Sequence, residues 1–183
     1  LTEGPVGRVL FRFALPFLLS SFLQALYGAA DLFVVGQYAD SSAVSAVAIG
    51  SQVMQTITGI ILGISMGGTV LIGRRIGEKN ERGTASAIGT LAILFAILAL
   101  ILTPAMLLLT KEAVLLMQTP AQAVADAQRY IFICSCGIPF IIGYNGVSGI
   151  FRGMGDSKTP VYFILLACVI NISADFLLTG AFH

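Results

Sequence analysis

Two acidic residues of this sequence lie well inside long apolar segments. The chain has nine acidic residues, and all but Asp31 and Asp175 fall between or at the ends of those segments. An ionisable side chain in hydrocarbon costs at least about 2.5–3.5 kcal/mol on insertion scales, and such residues usually face a cavity that handles ions or protons. Asp31 and Asp175 are therefore the first candidates for chemistry in this chain.

Polar residues accompany both carboxylates at helical spacing. One predicted helix face carries Ser20, Gln24, Tyr27 and Asp31, and a second carries Cys168, Asn171, Asp175 and Thr179. Spacings of three and four residues place the members of each series on a single face. Asn171 and Asp175 are one turn apart and can direct their oxygens into one site. Together with Asp31 they would offer at least three hard oxygen ligands for a cation, or a protonatable carboxylate pair.

A purely structural interpretation of the two carboxylates stays open. Neither residue lies at the centre of its segment, so each could reach toward water or pair with a partner outside this sequence. Against this, no Lys or Arg lies in the interior of the apolar segments to neutralise either one.

Other residue types that do chemistry are isolated. The three cysteines have no ligand partner at metal-binding spacing. The one histidine is His183, the last residue given, so a Ser/His/Asp set cannot form. The glycine-rich run 153–159 has Ser157 where a phosphate-binding loop requires Gly, and no strand precedes it. We therefore predict no enzyme activity, no cofactor and no metal beyond a coupling ion.

The composition excludes a water-soluble fold. Hydrophobic residues make up 57% of the chain and charged residues 10%, and the mean hydropathy is +0.94, whereas soluble domains carry roughly a quarter charged residues. The net charge of +1 provides no single-sign field that would attract nucleic acid. The sequence predicts an integral membrane protein that does not bind nucleic acid.

Five apolar segments are long enough to cross a membrane as helices. A helix needs about 20 apolar residues to cross the roughly 30 Å hydrocarbon core. The segments cover about residues 9–37, 44–73, 85–110, 128–151 and 160–182. We therefore expect an all-α, multi-pass helical bundle that is surrounded by lipid.

The basic residues predict an orientation, because Lys and Arg collect on the cytoplasmic side of membrane proteins. Eight fall on one side of the predicted membrane: Arg8, Arg12, Arg74, Arg75, Lys79, Arg82, Arg152 and Lys158. The other side has two, Lys111 and Arg129. We expect the N-terminus to be cytoplasmic in a protein of the cell (inner) membrane.

Helix-breaking residues interrupt two of the segments. Pro16 and Gly28 lie in the first, and Gly137 and Pro139 lie in the fourth. Such residues bend membrane helices where neighbouring groups satisfy the freed backbone. We predict a helix bend at Pro16.

A stripe of glycines in the second segment predicts close helix packing. Gly59, Gly63 and Gly67 recur every four residues. This spacing puts small residues on one face, where another helix backbone could approach closely.

These features resemble the multidrug and toxic compound extrusion transporters, particularly their bacterial damage-inducible and norfloxacin-efflux branches. The matching residues are Ala14-Leu15-Pro16, Gln24, Tyr27, Ala30-Asp31, Val35-Gly36, Gly73-Arg74-Arg75-Ile76-Gly77, the run 151–160, Asn171 and Asp175. The most specific of them is the Arg-Gly-x-Gly-Asp-x-Lys-Thr-Pro run at 152–160.

The resemblance implies an architecture larger than this sequence. Members of that family have about twelve helices in two six-helix lobes, with the substrate cavity between and inside the lobes. Residues 1–183 would then form a partial N-terminal transmembrane lobe of five helices. The sixth helix and the C-terminal lobe, expected in the same polypeptide, would be absent from this sequence.

The resemblance also implies a mechanism. An inward Na⁺ or H⁺ gradient would drive export of amphipathic, often cationic drugs or toxic organic compounds. Asp31, Asn171 and Asp175 match the cation or proton site, and Gln24 and Tyr27 match residues that line the substrate pocket. Two alternatives stay open: a flippase for lipid-linked precursors from the same superfamily, and a non-transporting scaffold or assembly subunit.

Overall fold

The computed structural model describes residues 6–38, 40–175 and 177. Within this part of the chain the regular elements are seven α-helices and one short 3₁₀ turn, Ala121–Ala123. The α-helices are α1 (Val6–Tyr38), α2 (Ser41–Gly77), α3 (Glu81–Leu108), α4 (Thr110–Leu116), α5 (Val124–Cys136), α6 (Ile138–Gly153) and α7 (Thr159–Asp175). The predicted all-α class is confirmed.

Three of these helices, α1, α2 and α3, are long and apolar enough to cross a membrane. Taken as one bent pair, with 47° between them, Ala121–Cys136 and Ile138–Gly153 are also long and apolar enough to cross a membrane. The described apolar part of α7 is shorter, Thr159–Ala174, and residues 176 and 178–182 of the predicted fifth span lie outside the described residues. The helices match the predicted segments in order.

The ends of α2 and α3 differ from the predicted segments because polar groups extend the helices into water. Arg74 and Arg75 lie in the last turn of α2 and pair with Glu78, at 2.9 and 3.0 Å. These two hydrogen bonds lower the pKa of Glu78. The side chain of Asn80 accepts a hydrogen bond from the Gly83 amide at 2.8 Å and so caps α3 four residues before the predicted start.

The fourth predicted segment is divided into two helices at Gly137 and Pro139. Gly137 ends α5 and precedes α6, and its amide donates to the Cys134 carbonyl at 2.9 Å. Pro139 falls in the first turn of α6, where a missing N–H leaves no helical bond unmade. A bend at this point therefore leaves few backbone groups without partners.

The core lies around α2, which packs on α6, α5 and α3. Ile61, Ile72, Phe95 and Ile142 are among the residues of one buried cluster, and a second cluster gathers around the fully buried Ile131. Helix α1 lies to one side of this core and packs mainly on α7.

The closest helix approach joins α2 and α6 through glycines of α6. The Ser65 hydroxyl donates to the Asn145 carbonyl at 2.7 Å, and the Thr69 hydroxyl donates to the Gly149 carbonyl at 2.9 Å. A Cβ atom at Gly153 would lie 2.8 Å from the Ile72 Cβ, which is too close for two carbons. At Gly149 and Gly153 the two backbones can approach closely because these residues of α6 carry no side chain.

The glycine stripe of α2 does not pack in this way, so that prediction is wrong for the described residues. Gly59, Gly63 and Gly67 are exposed, and a Cβ added at any of them would meet nothing within 4 Å. The spacing identified a face of α2 correctly. The core lies against the other face, which carries Ile61 and Ser65.

This contrast gives a matched pair of variants. Gly153→Ala should destabilise the protein by about 1–3 kcal/mol, the usual cost of forcing an extra carbon into a packed interface. Gly63→Ala should be neutral or slightly stabilising, because its added methyl meets open space and Ala favours helix over Gly. Thermal unfolding of both variants in detergent checks this. Equal melting temperatures for the two would show that the α2–α6 contact is not tight.

Candidate cation site on helices α1 and α7

The structure brings together the two helices that carry the predicted polar stripes. Helix α1 packs mainly on α7, and it makes fewer contacts with α2. Asp31 lies within α1 and Asp175 is the final residue of α7. The side chains of Tyr27, Asp31 and Asp175, and all of Thr179, lie outside the described residues. The helix pairing therefore agrees with a shared site, while the ligand set itself stays a prediction.

The described part of the α7 stripe lies on the buried face of that helix. Ile164 and Cys168 are buried, with 7% and 6% of their surface exposed, and Asn171 is half-buried. The spacing from Ile164 to Cys168 to Asn171 is four and then three residues, so the three share one face. Asp175 follows one turn later on the same face. A polar side chain on this face is removed from lipid.

Asn171 carries the most informative atom of the site. Its Oδ1 is buried and has no hydrogen-bond partner among the described residues. Leaving a buried acceptor unpaired costs about 1–3 kcal/mol, so an unpaired group of this kind calls for a missing ligand, ion or water. An amide oxygen is a hard ligand for a cation and also accepts a hydrogen bond from a protonated carboxyl group.

The described polar residues of the α1 stripe differ in exposure along the helix. The Ser20 side chain is buried, and its hydroxyl donates to the Pro16 carbonyl at 3.0 Å. One turn later the Gln24 side chain is exposed. Helix α1 runs without interruption through Pro16. Proline inside a helix and a serine bonded to the carbonyl four residues back both favour bending, so residues 16–20 are where α1 can change shape.

The loop before α7 holds the start of that helix. One carboxylate oxygen of Asp156 accepts the amides of Lys158 and Thr159, at 3.0 and 3.1 Å, and the other pairs with the Thr159 hydroxyl at 2.5 Å. The bonds from Thr159 are the main reason that the pKa of Asp156 is lowered. The amides of Lys158 and Thr159, which a bound phosphate would need as donors, are therefore already bonded to the Asp156 carboxylate.

Arg152 links the same loop to α1. Its guanidinium carbon lies 5.5 Å from the centre of the Phe17 ring. A cation over an aromatic face is attracted by the ring, more strongly where water is excluded. The 152–160 run therefore joins the end of α6 to the start of α7, and through Arg152 it also contacts α1 next to Pro16. Sequence reasoning did not predict this contact, because nothing local pairs Arg152 with a residue 135 positions earlier.

The cysteines differ in exposure. Cys168 is buried on the α7 face, Cys134 is half-buried and Cys136 is exposed. Among the described residues no group of three His, Cys, Asp or Glu side chains could hold a metal ion.

Comparisons with known proteins agree with this architecture. The MatE family model matches residues 16–177. The probable multidrug resistance protein YpnP of Bacillus subtilis (strain 168) is 31% identical over 170 residues, which cover 93% of this chain and 38% of that protein. The probable multidrug resistance protein NorM of Thermotoga maritima is 28% identical over 174 residues, which cover 93% of this chain and 37% of that protein.

A solved structure shows the same helix arrangement. The crystal structure of MATE in the bent conformation matches with a TM-score of 0.87 at 27% identity, over 95% of this chain and 39% of that one. The chain thus spans well under half the length of the proteins that it matches. Because the family model covers most of the chain, and because the helices superimpose on a solved member, this chain belongs to the MatE family of multidrug efflux transporters.

Proposed function

We propose that this chain is part of the N-terminal lobe of a cation-coupled antiporter that exports amphipathic, often cationic organic compounds. The observation that carries the proposal is the Oδ1 of Asn171 in α7, which is buried and has no hydrogen-bond partner among the described residues. Asp175 is the last residue of the same helix. Helix α1, which contains Asp31, is the main neighbour of α7. Oxygens from two neighbouring helices, including two carboxylates, are suited to Na⁺ or to a proton.

In this mechanism Asp31, Asn171 and Asp175 bind the coupling ion, and Gln24 and Tyr27 contact the organic substrate next to it. Ion and substrate compete, because both neutralise the same carboxylates. An ion can favour one shape of the lobe only by binding that shape more tightly than the other. We place the shape change in α1 at Pro16, since Asp31 lies on the same helix and the helix is weakened there.

The substrate class rests on the relatives, whose names describe multidrug resistance proteins. The flippase alternative predicts basic residues in a cavity for anionic head groups. No Lys or Arg lies in the interior of the apolar segments, and the guanidinium of Arg152 lies over the Phe17 ring. The scaffold alternative gives no reason for a buried Asn171 oxygen that has no partner among the described residues.

Transport by the intact polypeptide tests the proposal. Vesicles that contain it are loaded with a fluorescent organic cation, and either a Na⁺ or an H⁺ gradient is imposed in the direction that drives exchange. Efflux that depends on one of the two gradients is expected, and the effective gradient identifies the ion. Binding of the dye with no efflux under either gradient would contradict antiport.

The orientation gives a separate prediction. With a cytoplasmic N-terminus, a cysteine placed at Asn80 should react with a membrane-impermeant maleimide only from the cytoplasm. A cysteine at Gln122, in the loop before α5, should react only from outside. Both positions are exposed, so the reagent can reach them. The experiment uses a background in which the three native cysteines are replaced. Reversed labelling would refute the orientation.

A further inference from the structure

A cleft at one end of the bundle lies apart from the α1–α7 pair. It has a volume of about 670 Å³ and lies between the end of α3, the start of α4 and the middle of α5. Its lining is Leu107, Leu108, Thr110, Lys111, Gln128, Arg129, Phe132 and Ile133. One part of this surface is therefore cationic and polar, and the rest is apolar.

The two cations of the cleft have no acidic partner in the described part of the chain. Among the described residues neither Lys111 nor Arg129 forms an ion pair, although the acidic residues Glu112 and Asp126 stand nearby in sequence. The Thr110 hydroxyl is already bonded to the Met106 carbonyl at 2.8 Å. Two positive charges at one cleft attract a ligand with a negative group, and guanidinium and ammonium groups both bind phosphate.

The apolar part of the cleft faces outward. Leu108 is 80% exposed and Ile133 is 70% exposed. Leu108 ends α3 three residues before Lys111, and Ile133 lies one turn after Arg129 on α5. Helix α3 has 28 residues, which at about 1.5 Å per residue makes it longer than the hydrocarbon core is thick. The end of α3 therefore lies at the membrane surface, where phosphate groups of lipids meet their acyl chains.

We infer that this cleft binds an anionic phospholipid. Lys111 and Arg129 bind its phosphate, and the acyl chains lie along Leu108, Phe132 and Ile133. A membrane supplies such a ligand at the depth of this cleft, and a zwitterionic lipid matches the two unpaired cations less well. The inference concerns a surface away from the ion site and does not depend on antiport.

Lipid titration of the intact polypeptide in mild detergent, followed by native mass spectrometry, tests this. We expect phosphatidylglycerol to bind more tightly than phosphatidylethanolamine. A basic residue near a membrane surface contributes about 1 kcal/mol to binding of anionic lipid, so Lys111→Gln and Arg129→Gln should each weaken phosphatidylglycerol binding about fivefold, and the double variant more than tenfold. Binding of phosphatidylethanolamine should change little.

The matched control is the double variant Lys79→Gln with Arg82→Gln. Both residues are exposed at the other end of the bundle, Lys79 between α2 and α3 and Arg82 in the first turn of α3. The control should keep the affinity of the wild type. An equal loss in both double variants would show a general charge effect and overturn the inference. So would unchanged binding in the Lys111/Arg129 variant, or no selectivity for phosphatidylglycerol because another part of the polypeptide covers the cleft.

A competition experiment distinguishes a lipid site from a site for free phosphate. Inorganic phosphate at millimolar concentration should not displace phosphatidylglycerol, because it lacks the chains that contact the apolar wall. Phe132→Ala should weaken binding of both lipids, since it removes apolar surface from that wall. Displacement by inorganic phosphate would mean that the cleft is a phosphate site and not a lipid site.

Discussion

We expect Asp31→Asn to abolish gradient-driven efflux in the intact polypeptide while folding and membrane insertion are retained. The substitution keeps the shape of the side chain but removes the negative charge that the proposed coupling ion, Na⁺ or H⁺, would neutralise. Removing a charge from a membrane span does not hinder insertion. We expect efflux of a fluorescent cation from vesicles to fall more than tenfold, to the background of empty vesicles, with an unchanged yield of folded protein.

Two comparison variants make this result specific. Asn171→Ala should reduce coupling less, because it removes one oxygen ligand and no titrating group. Asp126→Asn alters an exposed carboxylate in the first turn of α5 and should transport like the wild type. If Asp31→Asn exports at the wild-type rate, coupling does not use this carboxylate, and the proposed role of Asp31 is refuted.

Residues 1–183 expressed alone should be inactive and poorly stable. Of the 18 residues Phe13–Ala30 of α1, only 6% are buried by the described part of the chain. The Gln24 side chain in this stretch is exposed. An amide that faces lipid has no hydrogen-bond partner, which is costly in hydrocarbon. We therefore expect that a second lobe must enclose the polar stripe of α1 for transport.

Drug resistance of efflux-deficient cells measures this second effect. Cells that express residues 1–183 should be as sensitive as cells without the gene, whereas cells that express the intact polypeptide should survive higher drug concentrations. The fragment should also melt at a lower temperature in detergent than the intact polypeptide. Resistance conferred by the fragment would contradict the prediction and would indicate that further copies of the chain complete the cavity.

Much of the helix plan followed from local properties of the sequence. The apolar runs located the helices in order, and Gly137 with Pro139 located the break between α5 and α6. Such features are readable because the backbone of each membrane helix is satisfied within its own segment. The run at 152–160 was also recognisable from the sequence. The sequence did not show that Asp156 in this run caps α7 or that Arg152 contacts Phe17 of α1.

The glycine stripe of α2 shows a property that local sequence patterns did not predict, namely which helix face is packed. Periodicity grouped Gly59, Gly63 and Gly67 on one face of α2, but it could not say which face meets the neighbouring helices. The close approach occurs at Gly149 and Gly153 of α6, which are also four residues apart, so the spacing alone does not distinguish the packed glycines from the exposed ones. Contact partners about 80 positions apart in sequence are set by helix packing.

The sequence by itself determined that this protein is a helical membrane protein, which residues are polar within its spans, and which family it resembles. Those properties depend on the cost of placing each residue in hydrocarbon, and that cost is local. Only the tertiary structure decided that α1 packs on α7, that the Oδ1 of Asn171 is buried with no partner in the part of the chain that the structure describes, and that Lys111 and Arg129 share one cleft. Each of these joins residues from separate helices, and the physical reason is that packing between helices, which no single segment encodes, sets their distances.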